Sequence, residues 1–165
     1  MIFIGDSHTQ TIGALPNALN FGATGSTTTG AQIVVKRNAK KLAEASAVML
    51  MIGTNDVWRH KLAGLDDRLA AIEQDIPRDV TLIWSGIPPA NDVRIEPADI
   101  ARANVTIQKL CASNPRCTYV DTWALLGDSD GMPDPRYFLP DGVHFAPRGY
   151  ERWLGTLLDT LEYQP

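Results

Sequence analysis

Five short apolar runs punctuate the chain: Met1 to Ile4, Ala18 to Phe21, Ala47 to Ile52, Val80 to Trp84 and Thr118 to Val120. Each has the length and side-chain type of a β-strand. Other stretches carry apolar residues at helical spacing instead. Leu65, Leu69, Ile72 and Ile76 form one such stripe; Ile100, Ala103, Ile107 and Leu110 form another behind Pro97. After Pro147 come Tyr150, Trp153, Leu154, Leu157, Leu158 and Leu161, and that stripe is expected to be core. Strands alternating with helices predict a parallel sheet covered on both faces, a three-layer α/β/α sandwich of five parallel strands. No internal repeat, low-complexity tract or linker interrupts residues 1–165, a length suited to one domain. Two loops rich in Gly and Pro, Gly86 to Pro97 and Gly127 to Pro140, are expected to wall a substrate site at one end of the sheet.

Composition narrows the partners. A formal charge of -4 argues against strong non-specific binding to nucleic acid or to an anionic membrane. Basic residues cluster only at Lys36, Arg37, Lys40 and Lys41, which read as the solvated face of a helix. No stretch approaches the roughly 20 apolar residues of a membrane span. The chain opens directly on a strand, without a basic region followed by an apolar one, so as written it is expected in the cytoplasm, or secreted if a leader once preceded it. Cys111 and Cys117 flank a turn that could bring them together, but a pair of cysteines without a signal is more often free, and free thiols are the expectation. Neither lies near a metal-binding pattern.

Chemistry-bearing residues fall where the predicted strands end. Gly5-Asp6-Ser7 breaks the first strand, Gly22 to Gly25 follows the second, Gly53-Thr54-Asn55-Asp56 the third, and Asp141-Gly142-Val143-His144 precedes the last helix. Ligands of open α/β sheets bind at these carboxyl ends. A serine hydroxyl needs a base, and the base needs an orienting group, so Ser7, His144 and Asp141 make a coherent set. Taken singly, Asp141-Gly142 is a common helix-preceding turn, His144 a common surface histidine and Gly53 to Asp56 a common strand-ending turn. Their coincidence at neighbouring strand ends is what points to a site.

These four blocks resemble those of the SGNH hydrolases, the GDSL-type esterases and lipases, over residues 4 to about 150. The resemblance implies Ser7 as nucleophile, His144 as general base and Asp141 as its orienter. It further implies an oxyanion hole made by the Ser7 N–H, the Gly25 N–H and the Asn55 side chain, strand order 2-1-3-4-5, a small-molecule ester substrate, and no metal or organic cofactor. His8 stands where the family frequently has leucine, and reads as a residue at the rim of the site. His60 reads as surface. The loop residues Trp58, Asn91, Asp92, Arg94, Arg136 and Tyr137, with no long apolar loop beside them, favour a short acyl group such as acetyl on a polar partner.

Two other readings share the strand order or the fold. Gly25-Ser26-Thr27-Thr28-Thr29-Gly30 resembles the phosphate loop of flavodoxins, which would make the chain an FMN-binding protein; yet here the loop follows the second strand and leaves Asp141 and His144 idle. Gly-Asp-Ser-His openings also occur in carbohydrate O-acetyltransferases, where a sugar hydroxyl takes the place of water. A nucleotide site is weaker, since Gly22 to Gly25 lacks the Gly-x-Gly-x-x-Gly spacing and no Gly-Lys-Ser/Thr follows. A second Gly-Asp-Ser, Gly127 to Ser129, has no strand ahead of it. Ser129→Ala is therefore expected to leave ester turnover unchanged, as measured by steady-state kinetics beside Ser7→Ala.

Overall fold

The computed structural model describes residues 1–162. Its sheet has five parallel strands in the order β2-β1-β3-β4-β5. The strands are β1 (Ile2–Gly5), β2 (Leu19–Gly22), β3 (Ala47–Met51), β4 (Thr81–Ser85) and β5 (Cys117–Val120). Every residue of β1 and β3 is buried, the pattern expected of central parallel strands covered on both faces, whereas Leu19 on edge strand β2 is exposed. Each run read from the sequence matches a strand within one or two residues. The part of the expected domain beyond residue 162 lies outside the described residues.

Side chains alternate across the sheet. Ile2, Ile4, Val48, Leu50, Leu82 and Trp84 point into one half of the core, with α2 (Thr28–Arg37), α5 (Leu65–Asp75) and α6 (Pro97–Ala112). Phe3, Met49, Met51 and Ile83 point into the other half, closed by α7 (Thr122–Leu126) and α8 (Pro147–Glu162). The three stripes read from the sequence form α5, α6 and α8. In α8 the stripe is wider than the buried face: Trp153 and Leu157 are inside, but Leu158 is 59% exposed. Trp153 also donates from its indole Nε1 to Ser85 Oγ at 2.9 Å, which fastens α8 to β4. The four short helices α1 (Ser7–Thr11), α3 (Ala39–Ala43), α4 (Thr54–Trp58) and α7 sit next to strand or helix ends. The basic cluster falls at the end of α2 and in α3, where cations suit the carboxyl end of a helix. Lys36 makes a surface pair with Asp75 at 3.6 Å.

The register sets where the site forms. Gly5 pairs with Gly22 on one side and Met51 on the other, so β1, β2 and β3 end at one level. Gly5 also allows α1 to start immediately after β1. A Cβ there would lie 2.1 Å from Thr9 Oγ1 and 2.5 Å from the Met51 carbonyl oxygen, both impossible approaches.

The cysteines are bridged, contrary to the expectation of free thiols. The turn from α6 to β5 brings Cys111 and Cys117 to a Cα separation of 5.0 Å, within the range that a disulfide spans. The bridge joins residues six apart in sequence. Closing so short a loop in the unfolded chain contributes about 2 kcal/mol. Replacing both cysteines by alanine is expected to lower unfolding stability by about that amount in urea titration, with an unchanged far-ultraviolet circular dichroism spectrum.

Candidate active site

Asp6, directly after β1, caps α1 by accepting the His8 N–H at 3.0 Å. Ser7 therefore begins the helix with its side chain partly exposed at the sheet's carboxyl edge. Its Oγ lies 3.0 Å from His144 Nε2, across 137 positions of sequence. His144 Nδ1 lies 2.8 Å from Asp141 Oδ2. The other oxygen, Asp141 Oδ1, accepts the N–H groups of Val143 and His144, both at 2.9 Å. That turn explains how an acid only three residues ahead of a histidine reaches its ring. Gly142 permits it with φ of +66°, and a Cβ there would sit 2.9 Å from the Asn91 carbonyl oxygen. Burial pushes the Asp141 carboxyl up, but the N–H groups of His144 and Val143 and the His144 ring outweigh it and hold the acid below its ordinary value.

The turn is braced from behind. Leu139 N–H donates to the His144 carbonyl oxygen at 2.8 Å, and Ala146 N–H to that of Tyr137 at 2.8 Å. Phe138 packs edge-on against Phe145 at 5.3 Å. Asn91 N–H reaches the Gly142 carbonyl oxygen at 2.8 Å, bringing the Gly86–Pro97 loop alongside. Of the two long loops, this first one walls the site. The Gly127–Pro140 loop buttresses the turn instead, and Arg136 pairs with Asp134 within that loop.

A cleft of about 360 Å³ opens over these groups. Ser7, His144, Asp141, Gly25 and Asn55 share its surface with His8, Thr24, Thr54, Val143, Trp58, Arg59, Asp92 and Arg94. Asn55, in the first turn of α4, spends one amide hydrogen on the Ser26 carbonyl oxygen at 3.0 Å, which fixes the side chain, and carries a second donor hydrogen. Arg94 grips Asp92 through Nε to Oδ1 at 2.8 Å and Nη2 to Oδ2 at 2.7 Å, and lies 4.0 Å over the Trp58 ring. The Arg94 side chain and N–H hold the Asp92 carboxyl well below the usual range. The cleft rim therefore carries charged side chains, with one aromatic face already covered by a guanidinium. Among the described residues no group of three or more His, Cys, Asp or Glu side chains is placed to hold a metal ion. Likewise, no described helix is long and apolar enough to cross a membrane.

A hydroxyl, an imidazole and a carboxylate in line are the arrangement by which a serine can lose its proton to a base during acyl transfer. The family model of the GDSL-like lipase/acylhydrolase family matches residues 3–152. The chain belongs to the GDSL-like lipase/acylhydrolase family. With that membership it joins the carboxylic ester hydrolases. None of the curated proteins matches it in sequence. Solved structures do. A Streptococcus pneumoniae protein described as a candidate platelet activating factor is 25% identical, with TM-score 0.79 over 97% of this chain and 82% of that one. The C-terminal catalytic domain of peptidoglycan O-acetyltransferase A, also from Streptococcus pneumoniae, is 20% identical, with TM-score 0.76 over 99% and 94%. The acetylxylan esterase Axe2 of Geobacillus stearothermophilus is 19% identical, with TM-score 0.75 over 99% and 94%. The last two share the fold of this GDSL-like chain; their differing activities leave the acyl acceptor to be argued from its own cleft.

All five site residues named from the sequence of this acylhydrolase meet in the cleft. His60 and Ser129 are exposed and lie outside it. The hydroxyl-rich stretch does not remain a loop: it runs into α2, and Thr28 gives its N–H to Asp56 Oδ2 at 2.8 Å and its hydroxyl to Oδ1 at 2.7 Å. Thr28 is thus committed to the protein and not to a phosphate. Three features escaped the sequence reading: the Arg94–Asp92 grip on Trp58, the place of Arg59 beside Gly25, and the full burial of His8. Asp56 is 1% exposed and also meets Arg68 Nη2 at 3.3 Å, so it staples the end of β3 to α2 and α5. Asp56→Ala leaves Thr28 and Arg68 without their acceptor. It is expected to cost about 3–5 kcal/mol in urea unfolding, with Asp56→Asn losing less.

Proposed function

We propose that this protein is a serine esterase that removes short acyl groups, acetyl foremost, from polar partners through an acyl-enzyme on Ser7. The observation that carries the reading is the Ser7–His144–Asp141 relay, at 3.0 and 2.8 Å, opening on a cleft with charged walls. Ser7 Oγ attacks the ester carbonyl carbon while its proton passes to His144 Nε2. Asp141 keeps the Nδ1 proton in place and stabilises the imidazolium that forms. The developing oxyanion meets the Ser7 N–H, the Gly25 N–H and the second Asn55 amide hydrogen. As the carbonyl re-forms, the alcohol oxygen leaves and takes the proton from His144. Water, deprotonated by the same ring, then attacks the acyl carbon and returns Ser7 with release of the acid.

Cleft size and polarity support the choice of substrate. A volume near 360 Å³ suits a few-carbon acyl group and part of its partner. Asn55, Arg59, Asp92 and Arg94 offer donors and charge to hydroxyl-rich leaving groups.

Release of p-nitrophenol from acetyl, butyryl and octanoyl esters tests the proposal. Turnover is expected to be fastest on acetyl and to fall at least about 1,000-fold in Ser7→Ala. Asp141, held below its ordinary value, should stay ionised and go on orienting the His144 ring in mildly acidic solution. Octanoyl preference would overturn the short-chain assignment, and turnover that survives in Ser7→Ala would overturn the nucleophile.

A further inference from the structure

Among the described residues, His8 is the one fully buried ionisable ring beside the Ser7–His144–Asp141 set that the reaction above does not use. Its side chain is 1% exposed, and both ring nitrogens face oxygen atoms. Nδ1 lies 3.0 Å from Asp6 Oδ1, and Nε2 lies 2.9 Å from the Val143 carbonyl oxygen. A carbonyl oxygen accepts hydrogen bonds and cannot donate one; an ionised carboxylate is likewise an acceptor. A neutral imidazole has a single N–H. With the proton on Nδ1, the Nε2 lone pair would face the Val143 carbonyl; with it on Nε2, the Nδ1 lone pair would face Asp6. With Asp6 ionised and accepting the His8 N–H at the same Oδ1, only the ring with both protons satisfies the two contacts.

We infer that His8 is held as an imidazolium, paired with the Asp6 carboxylate, and that it is a positioning residue for His144. The peptide unit between Val143 and His144 is gripped at both ends: its carbonyl oxygen by His8 Nε2, and its N–H by Asp141 Oδ1. That unit leads directly into the His144 Cα, so the two bonds set where the imidazole base points. His8 follows Ser7 in α1, and one turn of helix therefore carries the nucleophile and the anchor of the base. The His8 ring packs at a tilt against Phe145, 4.5 Å between centroids, and lies 5.4 Å from the His144 ring, which leaves the anchored peptide little room to shift. This assignment rests on the serine-esterase reading for its catalytic consequence but not for its protonation state.

The titratable groups around His8 are Asp6 ahead of α1, Asp141 and His144 in the turn, and Tyr150 of α8, which faces Asp6. Burial pushes the His8 pKa down, but the Asp6 charge, the hydrogen bonds to Asp6 and Val143 and the Asp141 charge outweigh it, and the value lies above that of a free imidazole. With the folded value raised, the pair's contribution to stability is complete below the ordinary histidine pKa and disappears as pH rises through the folded value. Loss of the proton leaves one N–H for two acceptors, so the ring must give up Asp6 or Val143, and activity should fall over the same alkaline interval as its hold on the peptide slackens.

Two measurements on the full chain test this. In ¹⁵N-histidine spectra, the His8 signal, assigned by its loss in His8→Gln, should show protons on both ring nitrogens at and above pH 7. In kinetics, His8→Gln should lower kcat about 10- to 100-fold with KM nearly unchanged, and its rate should lack the alkaline decline of the wild type. A singly protonated His8 ring at pH 7 would overturn the inference, and so would a variant whose kcat and alkaline profile match the wild type. If the wild type turns over no ester, the esterase reading fails, and the ring spectrum still decides the state of His8. If His8→Gln does not fold, assignment through His60→Gln and His144→Gln leaves the same spectrum to decide it.

Discussion

The parallel register of β1 against β2 and β3 is the constraint on which everything else depends. Because Gly5, Gly22 and Met51 end level with one another, the segments that follow them emerge side by side. Ser7, the Gly25 backbone and Asn55 are consequences of three strands stopping together, and a slip of one residue would also turn each strand's buried face outward. The sheet is rigid because its central strands are covered on both sides, so the groups at its edge are presented on a fixed rim and not on mobile loops.

The fourth contributor, the Asp141–His144 turn, is not placed by a strand. It is held by hydrogen bonds from several directions: Asp141 Oδ1 within the turn, Leu139 and Ala146 behind it, Asn91 beside it and His8 beneath it. A half-exposed histidine would ordinarily sample several orientations. Here the backbone that carries it has few degrees of freedom left, so the entropy of aligning the imidazole with the Ser7 hydroxyl is largely lost on folding.

Much of this could be read in the sequence, for identifiable reasons. Central parallel strands are apolar on both faces, so the runs at Met1 to Ile4 and Ala47 to Ile52 stand out, and α5, α6 and α8 are long enough to show a period. By contrast, α2 begins inside Ser26 to Gly30, whose composition is that of a loop, and buries only Thr28, Ala31 and Val35. The helices of five residues are shorter than the window in which periodicity can be seen. Ser7, His144 and Asp141 were legible because their short blocks are compact and ordered. The role of His8 was not, since its second partner is 135 positions away and is a backbone atom, which leaves no trace in residue type. The disulfide was missed for a similar reason: pairing depends on how the turn between α6 and β5 folds, and not on the spacing alone.

Ser7 and His144 stand 137 positions apart, and the bond between them closes over most of the sheet. A contact of this separation forms only once β1 and the turn before α8 have both reached their places, and long-range closure of this kind slows folding. The same separation makes the pair a reporter of the assembled fold: any opening that frees β1 or that turn parts the hydroxyl from the imidazole.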